Sequence, residues 1–178
     1  QQQVLPLDAK AFADEELRKI AEFSDAHRAP DGVGWTDMYM RSDPPLELRA
    51  LGISRRQFSE AVSRSLAPFD DVYTGYSSHR ERCDRTAAWG RSPTCALFAE
   101  WDEAEVITNC WAMFFEQEEA SIRAAAQAVA ALGDIQPLVY VDWAWKYACE
   151  VSDAEAFSSL LRTKLKTIAE KIAAMEKG

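Results

Sequence analysis

Two residues in the middle of the chain could form a nucleophile and a base. His79 and Cys83 are four residues apart, and on a helix that spacing would place an imidazole and a thiol on one face. Neighbouring arginines would favour the nucleophilic thiolate. The segment shows no clear helical pattern, and no third group is identifiable. We therefore predict no catalytic residue and keep a small enzyme with a Cys83-based site as an alternative.

The sequence carries no recognisable cofactor or metal motif. It contains no glycine-rich nucleotide loop, serine-hydrolase elbow, zinc-protease helix or EF-hand. The four cysteines are Cys83, Cys95, Cys110 and Cys149. They lack the close pair that a structural zinc site normally shows, so we expect no metal and no cofactor. Carboxylates are plentiful but none forms a distinctive pair, which leaves a carboxylate-based enzyme as part of the same alternative.

Arginines are concentrated in one stretch of an otherwise acidic chain. The net charge is −9, whereas residues 49–91 carry +3. The densest cluster there contains Arg80, Arg82 and Arg85. Arginine forks bind carboxylate and phosphate groups bidentately, so we predict that these residues contact an acidic group of a partner. The alternative is a solvated loop with local ion pairs.

Acidic residues crowd the turn of a predicted hairpin. Asp102, Glu103 and Glu105 lie between two segments rich in aromatic and β-branched residues. They lack the regular ligand spacing of a calcium loop, so a basic protein surface is the expected partner. A solvated turn is the alternative.

The same hairpin suggests a disulfide. If Trp101 pairs with Ala104 across a two-residue turn, Cys95 faces Cys110. Facing residues of paired strands lie within the Cα separation that disulfides need. We therefore predict a Cys95–Cys110 disulfide, which four reactive thiols before reduction would exclude.

Helical periodicity and capping signals predict four helices. The first begins at about Asp8 or Asp14 and runs to Ala29. The second follows Ser54, whose capping box with Gln57 is the best local signature in the chain. The third covers residues 117–132, and the fourth begins at Ser152.

Segments rich in aromatic and β-branched residues predict the strands. Residues 94–101 and 106–115 form the hairpin, and residues 72–76 form a short strand. The clearest alternation runs over residues 139–151 and predicts one long strand with an apolar face. Asp142 lies on the opposite face, which we expect to be open to solvent.

These elements predict an α+β fold with one domain over residues 1–178. Residues 1–70 would form an N-terminal part with two helices. Residues 71–178 would form a β-β-α-β-α core. In this core an antiparallel or mixed sheet, made of the hairpin and the long strand, packs against the C-terminal helices.

The chain start and the overall charge suggest a location and exclude some partners. The sequence begins Gln1-Gln2-Gln3 without Met, as chains often do after signal-peptide removal. A trimmed chain would begin the same way. We expect a periplasmic or secreted location, with the cytoplasm as the alternative. No segment approaches the roughly 20 apolar residues of a membrane span, and the acidic charge disfavours nucleic-acid binding.

Aromatic residues and acidic charge together predict a binding protein. The chain has six Trp, five Tyr and eight Phe, more than a minimal core needs, and exposed ones would anchor a protein partner. Acidic charge steers a protein toward basic surfaces. We predict a non-catalytic acidic protein of the bacterial inhibitor or immunity type, which neutralises an enzyme or toxin. A periplasmic carrier of a small ligand is a further alternative and would need an apolar cavity.

Overall fold

The computed structural model of the chain describes residues 2–30, 34–69, 72–74, 79, 81–92 and 94–175. These residues form four α-helices and three antiparallel sheets. The α+β class predicted from the sequence is confirmed. The arrangement of several strands differs from the expected one.

The helices lie where periodicity predicts them. They are α1 (Lys10–Ala26), α2 (Arg55–Val62), α3 (Glu119–Gly133) and α4 (Ala154–Met175), with short 3₁₀ turns at Leu7–Ala9 and Leu48–Leu51. The α2 capping box is confirmed: Gln57 N–H donates to Ser54 Oγ, and the Gln57 side chain accepts from Ser54 N–H at 3.0 Å. The cap of α4 is Asp153 rather than the expected Ser152, because Asp153 accepts from Ala156 N–H at 2.8 Å.

The strands of the described residues pair into three sheets. They are β1 (Gln2–Pro6), β2 (Tyr73–Thr74), β3 (Glu81–Arg82), β4 (Thr86–Ser92), β5 (Cys95–Trp101), β6 (Ile107–Phe114), β7 (Leu138–Asp142) and β8 (Tyr147–Glu150). The sheet orders are β1-β7-β8, β2-β3 and β4-β5-β6. The β5–β6 pair is the predicted hairpin. Strand β2 lies within the predicted strand over residues 72–76, of which residues 75 and 76 lie outside the described ranges. Strands β1, β3 and β4 have no counterpart in the prediction, and β1 means that the N-terminal part is not purely helical. The hairpin and β7 belong to two different sheets, not to the single sheet predicted.

The β1-β7-β8 sheet is buried on both faces. Val4 and Tyr140 belong to the main core cluster, which α2, α3 and α4 complete. Leu5, Val139 and Val141 pack against α1 on the other face. A strand buried on both faces shows no alternation of apolar and polar residues. This explains why the sequence pattern does not reveal β1.

The β4-β5-β6 sheet buries one face fully and the other in part. Trp89 and Leu97 point into the main core cluster. Ala88 and Phe98 point outward into a small cluster of their own, against which Trp111 packs. This outward face therefore offers an apolar surface beside the main core.

The predicted long strand over residues 139–151 is instead the hairpin β7–β8. The Asp142 side chain ends β7, because its Oδ1 accepts from Trp145 N–H at 3.2 Å and so forms the local turn typical of aspartate. Lys146 has a φ of 54° in the same turn. Trp143 and Trp145 continue the apolar alternation through this turn, which is why the period alone predicts an unbroken strand.

Asp142 is buried, contrary to the prediction that it faces solvent. Lys164 on α4 covers it, with Nζ 2.7 Å from Asp142 Oδ2 and both side chains at most 4% exposed. Gln2 Nε2 donates to the same oxygen at 3.2 Å. Buried charges persist in proteins when they are paired and hydrogen-bonded. This contact therefore joins β1, β7 and α4.

The predicted Cys95–Cys110 disulfide is wrong. Both cysteines are free and buried, and the register places Cys95 opposite Phe114 and Cys110 opposite Ala99. The Asp102 side chain accepts hydrogen bonds from two backbone N–H groups of the turn, at 2.9 and 3.1 Å. These bonds hold a longer connection than the two-residue turn assumed, and the register shifts accordingly.

We expect the Asp142–Lys164 pair to be strongly coupled in stability. Asp142→Asn and Lys164→Met should each destabilise the fold by about 3–5 kcal/mol, because each leaves a buried charge without its partner. The double variant should lose clearly less than the sum of the two single losses. Urea unfolding of all four proteins measures this. Additive losses would contradict the coupling.

Candidate functional site

An extended loop follows α1 across the surface of the molecule. We call residues 34–43 the anchored loop. Its first part is held by the end of α1, where Thr36 N–H donates to the His27 carbonyl at 2.8 Å. Phe23 stacks on His27 with ring centroids 4.0 Å apart and contacts the Tyr39 ring at 5.5 Å. The loop therefore packs against the C-terminal part of the helix.

Glu16 holds the middle of the anchored loop from a buried position on α1. The residue is 1% exposed. Its Oε2 accepts from Tyr39 OH at 3.0 Å and from Ser42 N–H at 3.3 Å, and its Oε1 accepts from Lys19 Nζ at 2.8 Å. The hydrogen bond from Lys19 holds the pKa of Glu16 below its ordinary value, against the opposing effect of burial. One ionised carboxylate thus ties the loop to the helix.

Arg41 holds the end of the anchored loop through an aromatic ring. Its guanidinium carbon lies 3.9 Å from the centroid of the Trp143 ring, a contact worth about 0.5–2 kcal/mol. Arg41 Nη1 and Trp143 Nε1 both donate to Gln3 Oε1, at 3.4 and 3.3 Å. Trp143 is only 6% exposed, so the surface under Arg41 is fixed by the core.

Exposed side chains alternate with the anchoring ones. Met38 and Met40 are 76% and 81% exposed, and Trp35 is 60% exposed. The alternation is that of an extended chain, in which successive side chains point to opposite sides. Neighbouring large apolar side chains on a protein surface are typical of interaction sites. The surroundings are acidic, since residues 1–48 carry −5 of the net charge.

Sequence reasoning does not identify this loop as a site. The run from Met38 to Arg41 does alternate apolar with polar or aromatic residues, which is a signal for a two-sided extended segment. Which side is buried depends on Glu16 and Trp143, and neither is a neighbour in sequence. A prediction of the exposed side therefore needs the tertiary structure.

The predicted basic and acidic partner sites lie against each other. Arg85 Nη2 is 3.1 Å from Glu103 Oε1, and Asp102 pairs with Arg49 at 2.9 Å. Hydrogen bonds from the turn backbone, first that of Val106, hold the pKa of Asp102 below its ordinary value. The two charged clusters thus form one charged edge rather than two separate patches.

Glu105 completes this charged edge. It pairs with Arg55 at 3.1 Å, and the Arg55 guanidinium lies 4.3 Å from the Trp101 ring centroid. Arg82 is exposed in β3, and Arg80 lies outside the described residues. Exposed ion pairs contribute little stability, so a partner could replace them at small cost. The partner-binding role of these residues stays a prediction.

An apolar groove of about 360 Å³ lies on the outward face of the β4-β5-β6 sheet. Its floor includes the stacked rings of Phe98 and Trp111, with centroids 5.3 Å apart and planes within 5°. It is lined by Phe69, Val72, Tyr73, Thr74, Cys83, Ala88, Thr94, Phe98, Trp111 and Met113. Its size falls in the lower range of small-molecule sites.

The structure places Cys83 between this groove and a second cavity beside Arg82 and Arg85. Cys83 is half-buried, and His79 is exposed. Within the described ranges, no cluster of three or more His, Cys, Asp or Glu side chains could hold a metal ion. Catalysis by Cys83 and His79 stays an untested alternative.

Comparisons with protein-family models, with curated proteins and with solved structures gave no match. Among the described residues, no helix combines the length and the apolar character that crossing a membrane requires. Function is therefore inferred from the anchored loop, the charged edge and the apolar groove.

We expect Glu16→Gln to loosen the anchored loop and to cost about 1–3 kcal/mol at neutral pH. The pKa of Glu16 is lowered in the folded state, so its ionised form stabilises the fold above the ordinary value of 4.5. That contribution is lost as the pH falls through the folded-state value. The gap between wild type and variant should therefore narrow in acid. Urea unfolding at neutral and acidic pH measures it.

The matched control is Glu22→Gln on the same helix, since Glu22 is 64% exposed and pairs with Arg18 on the helix surface. It should leave stability nearly unchanged. Equal losses in both variants would contradict the anchoring role of Glu16.

We expect one fast thiol in the native protein. Burial raises the pKa of Cys95 and of Cys149 to about 11 and raises that of Cys110 further, which suppresses their thiolates. Half-buried Cys83 should react first with a chromogenic disulfide, and Cys83→Ser should remove the fast phase. Unfolding without reductant should release four thiols. Fewer than four would contradict the free cysteines.

Proposed function

We propose that this chain is a non-catalytic acidic binding protein of the bacterial inhibitor or immunity type, and that the anchored loop contacts its protein partner. One observation carries the proposal. Trp35, Met38 and Met40 protrude from a backbone that Glu16 and Trp143 hold in place. The same role is open to the protein in the periplasm, outside the cell or in the cytoplasm.

The fixed backbone of the anchored loop supports this role energetically. Ordering a loop during association costs free energy, and a loop that is already ordered avoids most of that cost. Trp and Met are enriched at protein interfaces, and a Trp is a frequent source of large binding energy. The flexible side chains of Met38 and Met40 can also fill an irregular apolar pocket.

Charge around the loop indicates what kind of partner fits. Asp37 directly precedes Met38, Asp43 follows Met40 by three residues, and both are exposed. Residues 1–48 are acidic overall. The complementary surface is an apolar pocket with a basic rim. Attraction between such surfaces accelerates association and weakens as salt is added.

A carrier of a small apolar ligand is the second candidate, because the groove over Phe98 and Trp111 favours it. The groove lies on the outward face of the β4-β5-β6 sheet, outside the main core. Its use would depend on Trp111 and not on the anchored loop. A Trp111→Ala variant therefore separates the two functions.

We expect a double variant, Met38→Ser with Met40→Ser, to weaken partner capture. The immobilised wild type, this variant and a control are each exposed at micromolar concentration to an extract of the source organism. The control is Ile172→Ser, which replaces an equally apolar side chain that is 52% exposed on α4. A partner bound through the loop should be retained by wild type and control. It should bind the double variant about tenfold or more weakly.

The inhibitor role needs two further results from the purified captured protein. Its own activity should fall when the chain is added in excess, and its association rate should fall with ionic strength. Recovery of no protein, or equal recovery by wild type and double variant, would refute the proposal.

A further inference from the structure

Arg41 is a cation held by an aromatic ring and an amide oxygen. Its guanidinium lies over the Trp143 ring, and its Nη1 donates to Gln3 Oε1 at 3.4 Å. Across the described parts of the chain, no carboxylate lies within ion-pair distance of it. Other arginines close to acidic residues, such as Arg85 and Arg55, do form such pairs. Arg41 is therefore held in place, and its guanidinium has further N–H groups that can donate hydrogen bonds.

A cavity of about 290 Å³ lies beside this guanidinium. Its remaining walls are side chains that hydrogen-bond or stack, rather than aliphatic ones. They are Gln2, Gln3, Asn109, Trp111 and Trp143. Amide groups and indole rings around a guanidinium suit a small polar anion, whereas the groove described above suits an apolar molecule.

Burial sharpens the preference for an anion. Burial has the largest effect on the pKa of Arg41 and lowers it below its ordinary value. The charges of Asp43 and Glu16 raise this pKa, by a smaller amount. A guanidinium nevertheless stays protonated in proteins. A partly desolvated cation interacts more strongly with an anion than a solvated cation does, because the local dielectric constant is lower.

We propose that this cavity binds a carboxylate group that carries a hydrogen-bond donor on a neighbouring atom. Arg41 would take the carboxylate as a bidentate fork, and the Asn109 amide would supply another donor. Gln2 Oε1 is a buried acceptor with no partner in the described structure. This oxygen has almost no accessible surface, so it would accept from the donor next to the carboxylate after the Gln2 amide turns toward the cavity.

Two classes of molecule carry a carboxylate with a hydrogen-bond donor next to it. A small hydroxy acid carries a hydroxyl beside its carboxylate, and the last residue of a peptide carries an amide N–H in a similar place. Simple acetate lacks the donor and should bind more weakly. Arg41 belongs to the anchored loop, but the inference does not rest on the partner role of that loop, because it is tested with small molecules.

The test is an NMR titration of the isotope-labelled full chain with four solutes. Glycolate and N-acetyl-glycyl-glycine represent the two sources, acetate lacks the donor, and sodium chloride controls for ionic strength. The readout is the indole N–H signal of Trp143, which donates to Gln3 beside Arg41. A saturable shift with glycolate or with the peptide is the expected result, and the stronger of the two identifies the source.

Variants then assign the site. Arg41→Gln should raise the Kd at least about tenfold. Asn109→Ala, which lies on β6 outside the anchored loop, should raise it about fivefold. Arg56→Gln is the matched control for charge, since Arg56 is 83% exposed on α2, and it should leave binding unchanged.

Three results would overturn the proposal. Glycolate and the peptide could shift the signal no more than sodium chloride does. Arg41→Gln and Asn109→Ala could both bind as the wild type does. Acetate could bind as tightly as glycolate, which would remove the role of Gln2. Each result leaves the partner-binding proposal standing, because that proposal is measured through Met38 and Met40.

Discussion

The Asp142 carboxylate joins the first strand, the last helix and a turn at one buried point. It accepts from Gln2 on β1, from Lys164 on α4 and from the backbone of the turn after β7. That turn carries Trp143, on which Arg41 lies. The position of the anchored loop is therefore set partly from the opposite end of the chain. Since a buried charge tolerates few neighbours, this contact also fixes which face of β7 meets α4.

The fold is predictable from sequence where local signals agree with burial. The capping box of α2 is such a case, because a four-residue motif marks the start of a helix whose apolar face is buried. The β5–β6 hairpin is another, because both of its strands are rich in aromatic and β-branched residues. Strand β4 is not predicted from the sequence, because it contains a glycine. Gly90 lowers its strand propensity, yet a Cβ there would lie 2.1 Å from the Cys95 carbonyl oxygen. Gly90 is thus required by the close approach of two strands.

The candidate site is less predictable than the fold. Composition identifies the charged residues around Arg85 and Glu103, but it does not reveal that they pair with each other. Charge patterning also says nothing about Arg41, a single basic residue in an acidic segment, which becomes distinctive only over Trp143. Local patterns report the period of one element. Sites arise from contacts between elements, and those depend on the tertiary structure.

Helix α4 is unevenly supported along its length. Its first part contributes Phe157, Leu161 and Leu165 to the main core, whereas no residue from 166 to 174 is buried and Ile172 is 52% exposed. Amide protons in the first part should exchange with solvent only when the whole molecule opens, and those near the end should exchange by local fraying. One continuous helix would then span the full range of hydrogen-exchange protection. Its most protected amides would report the global stability of the chain, and its last turns would report helix propensity alone.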